Sequence, residues 1–104
     1  MVKHIILWKI ADGRSEEEKQ KIKEGVKAGL EGLKGRIPGL LDIRVQIDPL
    51  DTSNADIMLD SSFESEEALK AYAVHPEHVK VADENVRPFM DVRMCMDYES
   101  RGGI

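Results

Sequence analysis

The chain has 104 residues and a formal net charge of −5, and 41% of its residues are hydrophobic while 34% are charged. This length allows one hydrophobic core, so we assign residues 1–99 to a single domain and residues 100–104 to a C-terminal tail. The acidic balance argues against nucleic-acid binding. One cysteine rules out an intrachain disulfide, and the apolar run from Ile5 to Trp8 is too short for a signal peptide or membrane span. We therefore expect a cytoplasmic protein without membrane contact.

The first third of the chain predicts a strand followed by a helix. Residues 2–10 (VKHIILWKI) are rich in β-branched and aromatic residues and end at a turn signal, which is typical of a strand. Ser15 and Glu18 have the spacing of a helix capping box. We expect Gly25 and Gly29, which lie beside the apolar stripe of this helix, to allow close packing on a sheet. The stripe itself consists of Ile22, Val26, Leu30, Leu33 and Ile37.

The remaining elements complete a recognisable order. Residues 41–48 alternate between apolar and polar and predict a second strand, and residues 55–63 predict a third. A second helix begins at Ser65, is interrupted at Pro76 and is followed by a final strand over 92–99. The apolar side of the second strand comprises Leu41, Ile43, Val45 and Ile47. The order β-α-β-β-α-β indicates an α+β, ferredoxin-like fold, with a four-stranded antiparallel sheet and both helices on one face.

This fold leaves one sheet face to be explained. Two helices cover only one face of the sheet, yet the first strand carries large apolar residues on both of its faces. We expect a second copy of the chain to cover the open face, which would give a homodimeric α+β barrel with two-fold symmetry.

Two histidines stand close together in the second helical region. His75 and His78 are three positions apart and could share a metal ion. However, Pro76 starts a helix, so His75 would occupy its N-cap and use its ring locally. Glu77 points elsewhere on the helix, so a third protein ligand is missing. We therefore predict neither a metal nor a cofactor here.

An acid–base role is the stronger hypothesis for this region. The pKa of a histidine, about 6.5, suits His78 to proton transfer near neutral pH, and Tyr72 could hold a carbonyl oxygen. In a sheet ordered 4-1-3-2, Asp97 lies beside His4, and we expect a hydrogen bond between them. Cys95 is expected to be a core thiol. The alternative is structural: His78 anchors a loop, and Tyr72 is a core residue with a satisfied hydroxyl.

The chain resembles the stress-responsive A/B barrel (Dabb) family. The resemblance rests on VKHIILWKI at the start, FESEEALKAYAVHPEHVKVA in the centre and MDYE near the end, and it is most specific over residues 72–79. It implies a ferredoxin-like protomer and a homodimeric barrel. It also implies the chemistry of a plant polyketide cyclase of this family, which works without metal or cofactor.

In that comparison, His78 would be the general base that removes a proton next to a carbonyl, while Tyr72 holds the substrate oxygen. Asp56 stands where the cyclase has a further pocket histidine, and the first helix lacks the aromatic residues that shape its cavity. A long-tailed polyketide is therefore not the expected ligand. The candidate catalytic residues are His78, Tyr72, His4 and Asp97, and the candidate pocket residues are Asp56 and His75.

Three functions stay open at this point. The first is a dimeric family member that binds a small molecule between sheet and helices. The second is a cofactor-free enzyme that transfers protons on a small carbonyl compound. The third is a haem or quinol monooxygenase of the wider group of dimeric α+β barrels, in which His78 would be the axial haem ligand.

Overall fold

Strand β1, which spans Val2–Ile10, is one of the two inner strands of a four-stranded sheet. The computed structural model describes residues 1–101, so most of the predicted tail, residues 102–104, lies outside the described part. The N–H of Ser100 donates a hydrogen bond to the carbonyl of Met1 at 2.8 Å. The remaining elements are α1 (Glu16–Glu31), β2 (Leu40–Gln46), β3 (Ile57–Phe63), α2 (Glu66–Val74), α3 (Pro76–Val81), a π-helical turn (Ala82–Val86), a 3₁₀ turn (Arg87–Phe89) and β4 (Met90–Glu99).

The four strands form one antiparallel sheet in the order β2-β3-β1-β4. The predicted β-α-β-β-α-β order and the ferredoxin-like fold are therefore confirmed. The predicted inward face of β2 needs one correction. The register between β2 and β3 shifts after Leu40, so Leu40 is buried while Leu41 turns outward and is 44% exposed. A one-residue irregularity moves a side chain to the other face because side chains alternate along a strand.

Helix α1 lies on one face of this sheet because its apolar stripe must be buried. The capping box is present: the Glu18 N–H donates to the Ser15 hydroxyl at 3.1 Å, and the Ser15 N–H donates to the Glu18 carboxylate at 3.3 Å. The predicted stripe is buried together with the inward side chains of the strands. These side chains form one hydrophobic core between helices and sheet.

The edge strand β2 is held to α1 by two side chains of the last helical turns. The Val45 N–H donates to the Glu31 carboxylate at 2.9 Å, and the Lys27 ammonium donates to the Val45 carbonyl at 2.7 Å. Partial burial raises the pKa of Glu31, but the Val45 N–H and Lys27 outweigh it and leave that pKa lowered. The pair satisfies backbone groups that an edge strand would otherwise expose.

The two glycines of α1 pack against the second helical region, and the expected contact with the sheet is wrong. A Cβ atom at Gly29 would lie 2.8 Å from a methyl group of Val81, and one at Gly25 would lie 3.2 Å from the side-chain amide of Asn85. Val81 ends α3, and Asn85 lies in the π-helical turn. The missing side chains therefore let α1 approach the segment that follows α3.

The sheet face opposite the helices carries an apolar strip along β1 and β4, which we call the open face. The register with β1 places Arg93, Cys95 and Asp97 of β4 on the helix side of the sheet. The residues of β4 that alternate with them lie on the open face. The exposed apolar side chains of the open face are Leu7, Val92, Met94, Met96 and Tyr98. Within residues 1–101, no helix is long and apolar enough to cross a membrane.

Candidate functional site

A cavity of about 360 Å³ lies between the helix-facing side of the sheet and the helices α2 and α3. Its walls are mostly apolar and include Ile6, Trp8 and Leu59 from the sheet. A few polar side chains converge on it from different elements. These are His4 of β1, Tyr72 of α2, His78 of α3, Arg87 of the 3₁₀ turn and Arg93 of β4. A mostly apolar cavity with few polar groups is the usual form of a small-molecule site.

The break between α2 and α3 places Tyr72 and His78 side by side. His75 adopts an extended conformation, with φ −66° and ψ 132°, and Pro76 is the first residue of α3. The His75 ring accepts a hydrogen bond from the Glu77 N–H through Nδ1 at 3.1 Å, so the predicted N-cap is confirmed. The rings of Tyr72 and His78 then pack with their centres 4.2 Å apart.

Tyr72 is buried, but its hydroxyl is not paired. Only 1% of the residue is exposed, and its ring also packs against Phe63 at 4.9 Å. The hydroxyl makes no hydrogen bond with any group of residues 1–101. Burial raises the pKa of Tyr72, so the phenol stays protonated and can donate. A buried donor without a partner is costly, which makes it a candidate for binding a ligand oxygen.

His78 is held in a form that can accept a proton. Its Nδ1 lies 3.3 Å from the carbonyl oxygen of Ala73. A carbonyl only accepts, so Nδ1 carries the hydrogen and Nε2 carries the lone pair in the neutral ring. Burial lowers the pKa of His78, although the Ala73 carbonyl opposes this, and the charges of Arg87, His4 and Arg93 lower it further. The neutral, basic form is therefore favoured at neutral pH.

His4 and Asp97 are brought together by strand register, as predicted. The two residues are directly opposite each other in the β1–β4 pairing, and Nδ1 of His4 forms a short hydrogen bond with the Asp97 carboxylate. His4 is buried, whereas Asp97 lies at the exposed sheet edge. The Ser61 hydroxyl donates to the His4 carbonyl at 3.0 Å and fixes the backbone there.

Cys95 is exposed, so the expectation of a core thiol is wrong. It lies on the helix side of β4, but β4 is an edge strand that the helices leave uncovered. Its sulfur lies 3.7 Å from His4 Nδ1 and 3.5 Å from Asp97 Oδ1. Partial burial, the Asp97 charge and the hydrogen bond to that carboxylate raise the pKa of the thiol, and Arg93 opposes the shift.

The two predicted pocket residues do not line this cavity. Asp56 lies just before β3, where its carboxylate accepts a hydrogen bond from the Ile10 N–H at 2.8 Å and joins the end of β1 to the start of β3. His75 is used as the helix cap described above. In their place the structure brings in Arg87 and Arg93. The sequence did contain a signal for Arg93, because alternation along the last strand places it on the same side as Cys95 and Asp97.

The structure defines a ferredoxin-like α+β protein with a cavity of about 360 Å³ between sheet and helices. The family model of the stress-responsive A/B barrel domain, Dabb, matches residues 2–100. The chain therefore belongs to the Dabb family.

Three relatives illustrate the range of similarity. A dimeric protein of unknown function and ferredoxin-like fold from Bacteroides fragilis has a TM-score of 0.89 and 33% identity, with 95% of each chain covered. The Arabidopsis thaliana protein At3g17210 has a TM-score of 0.72 and 26% identity, with 98% of this chain and 97% of that chain covered. A stress-response A/B barrel domain-containing protein of Arabidopsis thaliana is 46% identical over 41 residues, and the match spans 39% of this chain and 16% of that protein.

Proposed function

We propose that the protein binds a small carbonyl compound in the cavity between sheet and helices, and that His78 transfers a proton on it without a cofactor while Tyr72 holds the carbonyl oxygen. The observation that carries this proposal is the buried Tyr72 hydroxyl, which has no partner among residues 1–101 and adjoins a histidine held as a neutral base. A purely structural tyrosine at this depth normally finds a hydrogen-bond partner.

The roles follow from the two protonation states. The Tyr72 phenol donates a hydrogen bond to the carbonyl oxygen of the ligand. Nε2 of His78 removes a proton from the adjacent carbon, and His78 becomes an imidazolium. The C–H electron pair forms a carbon–carbon double bond, and the π pair of the carbonyl group moves to its oxygen to give an enolate. The strengthened hydrogen bond from Tyr72 stabilises the oxygen as its charge grows. Return of the proton from His78 completes the cycle.

The charge of the cavity narrows the ligand class. Arg93 lines the cavity and forms no ion pair within residues 1–101, while Arg87 is paired with Asp83. The Arg93 guanidinium hydrogen-bonds the Cys95 side chain but has no carboxylate partner within residues 1–101. A guanidinium beside an apolar cavity favours a ligand that carries a carboxylate, because guanidinium and carboxylate match in geometry and charge. The cavity volume of about 360 Å³ favours a compact compound. We therefore propose small keto acids and their esters as the compounds to test first.

The test is proton exchange, because it requires only the first step of the reaction. The protein is incubated in D₂O with a panel of small keto acids, and deuterium incorporation next to the carbonyl is followed by NMR. We expect exchange by the wild type and a loss of about 10²- to 10⁴-fold in His78→Gln. The matched control is His75→Asn, which keeps a good helix cap three residues away and outside the cavity.

Two results would contradict the proposed function. One is wild-type exchange no faster than that of His78→Gln across the panel. The other is an equal loss of exchange in His75→Asn, which would mean that the loss in His78→Gln comes from disturbed helix geometry and not from removal of a base.

We also propose that the working form is a homodimer joined through the open faces of two sheets. The supporting observation is the apolar strip of the open face, where Met94 and Met96 are 65% and 67% exposed in the single chain. Monomeric proteins rarely expose such a continuous apolar patch. The Bacteroides fragilis relative, described as dimeric, has the same fold at 33% identity.

Light scattering tests the dimer directly. We expect a mass of twice 11.7 kDa for the wild type and a shift to the single-chain mass in Met96→Lys. Val74→Lys is the matched control, because Val74 is 75% exposed but lies on α2, away from the open face. A single-chain mass for the wild type at micromolar concentration, or an equal effect of both variants, would refute this arrangement.

A further inference from the structure

Three side chains with different donor atoms converge at the start of β1 and the end of β4. His4, Cys95 and Asp97 each offer one ligand atom, and these atoms all lie within 4.8 Å of one another. The register of β1 and β4 causes this convergence, because it sets Asp97 opposite His4 and Cys95 opposite the next inward residue of β1, Ile6. His75 and His78, the pair considered from sequence, take no part in the cluster.

We propose that His4 Nδ1, Cys95 Sγ and Asp97 Oδ1 bind one divalent transition-metal ion of the zinc class in each protomer. Imidazole, thiolate and carboxylate are the ligands that Zn²⁺ takes in proteins. In a tetrahedral zinc site with ordinary bond lengths, donor atoms lie about 3.4–3.6 Å apart. The sulfur lies 3.7 Å from the nitrogen and 3.5 Å from the carboxylate oxygen, so two of the three donor separations are close to that geometry.

The ion replaces the hydrogen that now joins His4 and Asp97. Their short hydrogen bond must open to about 3.4 Å, the nitrogen–oxygen separation across a tetrahedral ion. The His4 hydrogen moves from Nδ1 to Nε2, and the Cys95 thiol releases its proton to solvent. A thiolate and a carboxylate then neutralise the charge of a divalent ion, and Arg93 beside Cys95 can still pair with the thiolate.

The site has an entry path and an open position. His4, Cys95 and Asp97 all line a second cavity, of about 660 Å³, that runs along the edge strand. Three protein ligands leave a fourth tetrahedral position for water or a ligand oxygen, as in zinc sites that exchange ligands. Glu66 and Glu99 also line this cavity, with Lys70 and Arg93 as the opposing positive charges. The proposal does not depend on proton transfer by His78.

Cobalt titration tests the site because the sequence has one cysteine. The full-length, untagged protein is treated with a chelator, kept reduced with a phosphine and titrated with Co²⁺, and Zn²⁺ is then added as a competitor. We expect a thiolate-to-cobalt charge-transfer band that saturates at one ion per chain and disappears with Zn²⁺. Any such band reports Cys95 directly.

Three variants complete the test, and thermal melting verifies that each is folded. Cys95→Ser should lose the band, and Cys95→Ser and Asp97→Asn should each weaken Zn²⁺ binding by more than about 100-fold, because even outer-shell partners are worth 10- to 100-fold. His75→Asn should bind as the wild type does. Absence of a saturable band, or Zn²⁺ affinities of Cys95→Ser and Asp97→Asn within about threefold of the wild type, overturns the proposal. Loss of binding in His75→Asn overturns it too.

Discussion

The Tyr72 hydroxyl allows a test in which function and stability are expected to change in opposite directions. Tyr72→Phe removes one oxygen atom that is buried and has no hydrogen-bond partner within residues 1–101. The ring contacts with Phe63 and His78 are kept. A buried unsatisfied polar group costs about 1–3 kcal/mol, so its removal should raise the free energy of unfolding. We expect a gain of about 1–2 kcal/mol from this change.

Urea denaturation followed by circular dichroism measures the gain. Wild type and variant are compared at one protein concentration, because dimerisation contributes to the apparent stability. A gain of about 1 kcal/mol corresponds to a rise in Tm of about 4–8 °C for a domain of this size. Ser61→Ala is the opposite control. Its hydroxyl is also buried but donates to the His4 carbonyl, so its loss should cost about 1 kcal/mol.

The result that refutes this reasoning is a loss of stability in Tyr72→Phe. A loss of about 1 kcal/mol or more would mean that the hydroxyl is satisfied in the folded protein, for example by a buried water. Tyr72 would then be a structural residue. A gain in stability together with a loss of proton exchange would instead be the pattern of a site that gives up stability for function.

Three further predictions concern other parts of the molecule. Gly29→Ala should lower the free energy of unfolding, because its Cβ would meet the stiff Val81 side chain at 2.8 Å. Gly25→Ala should leave the stability unchanged or raise it by up to about 1 kcal/mol through helix propensity. Thermal melting of the two variants distinguishes these outcomes. Glu31→Gln should lower the free energy of unfolding by about 1 kcal/mol at neutral pH. The difference from the wild type in urea titrations should shrink as pH falls below 4.5, since the pKa of Glu31 is lowered on folding. The pKa of His78 is also lowered on folding, so the wild type should lose stability as pH falls below 6.5, and His78→Gln should show a smaller loss in urea titrations at several pH values.

The sequence was most informative where the spacing of apolar residues or a helix-capping residue determines the local structure. The capping residues Ser15 and Glu18 placed the start of α1 correctly, and the predicted stripe is buried, although its last two residues, Leu33 and Ile37, lie beyond the helix end at Glu31. It was least informative where one residue shifts a register. Leu41 fits the alternation of β2, but an irregularity after Leu40 turns it outward. The residue that packs against Gly29 could not be predicted either, because the sequence does not indicate which element crosses a helix.

The candidate site shows the same division. Pro76 predicted the cap formed by His75, and the strand order predicted the contact between His4 and Asp97. Cys95 was misjudged because flanking methionines resemble a core strand, while burial of an edge strand depends on how far the helices extend over it. The burial of this strand therefore depends on tertiary structure, which a local sequence pattern does not predict.

The two proposed sites meet at His4, which lines both cavities. A bound ion would take its Nδ1 and release Asp97 from it, so the ring would present N–H at Nε2 where it now has a lone pair. If both proposals hold, Zn²⁺ should change the rate of proton exchange in the wild type and leave Cys95→Ser unaffected. An equal effect of Zn²⁺ on both proteins would place the responsive ion elsewhere. The coupling would then fail even if each site functions alone.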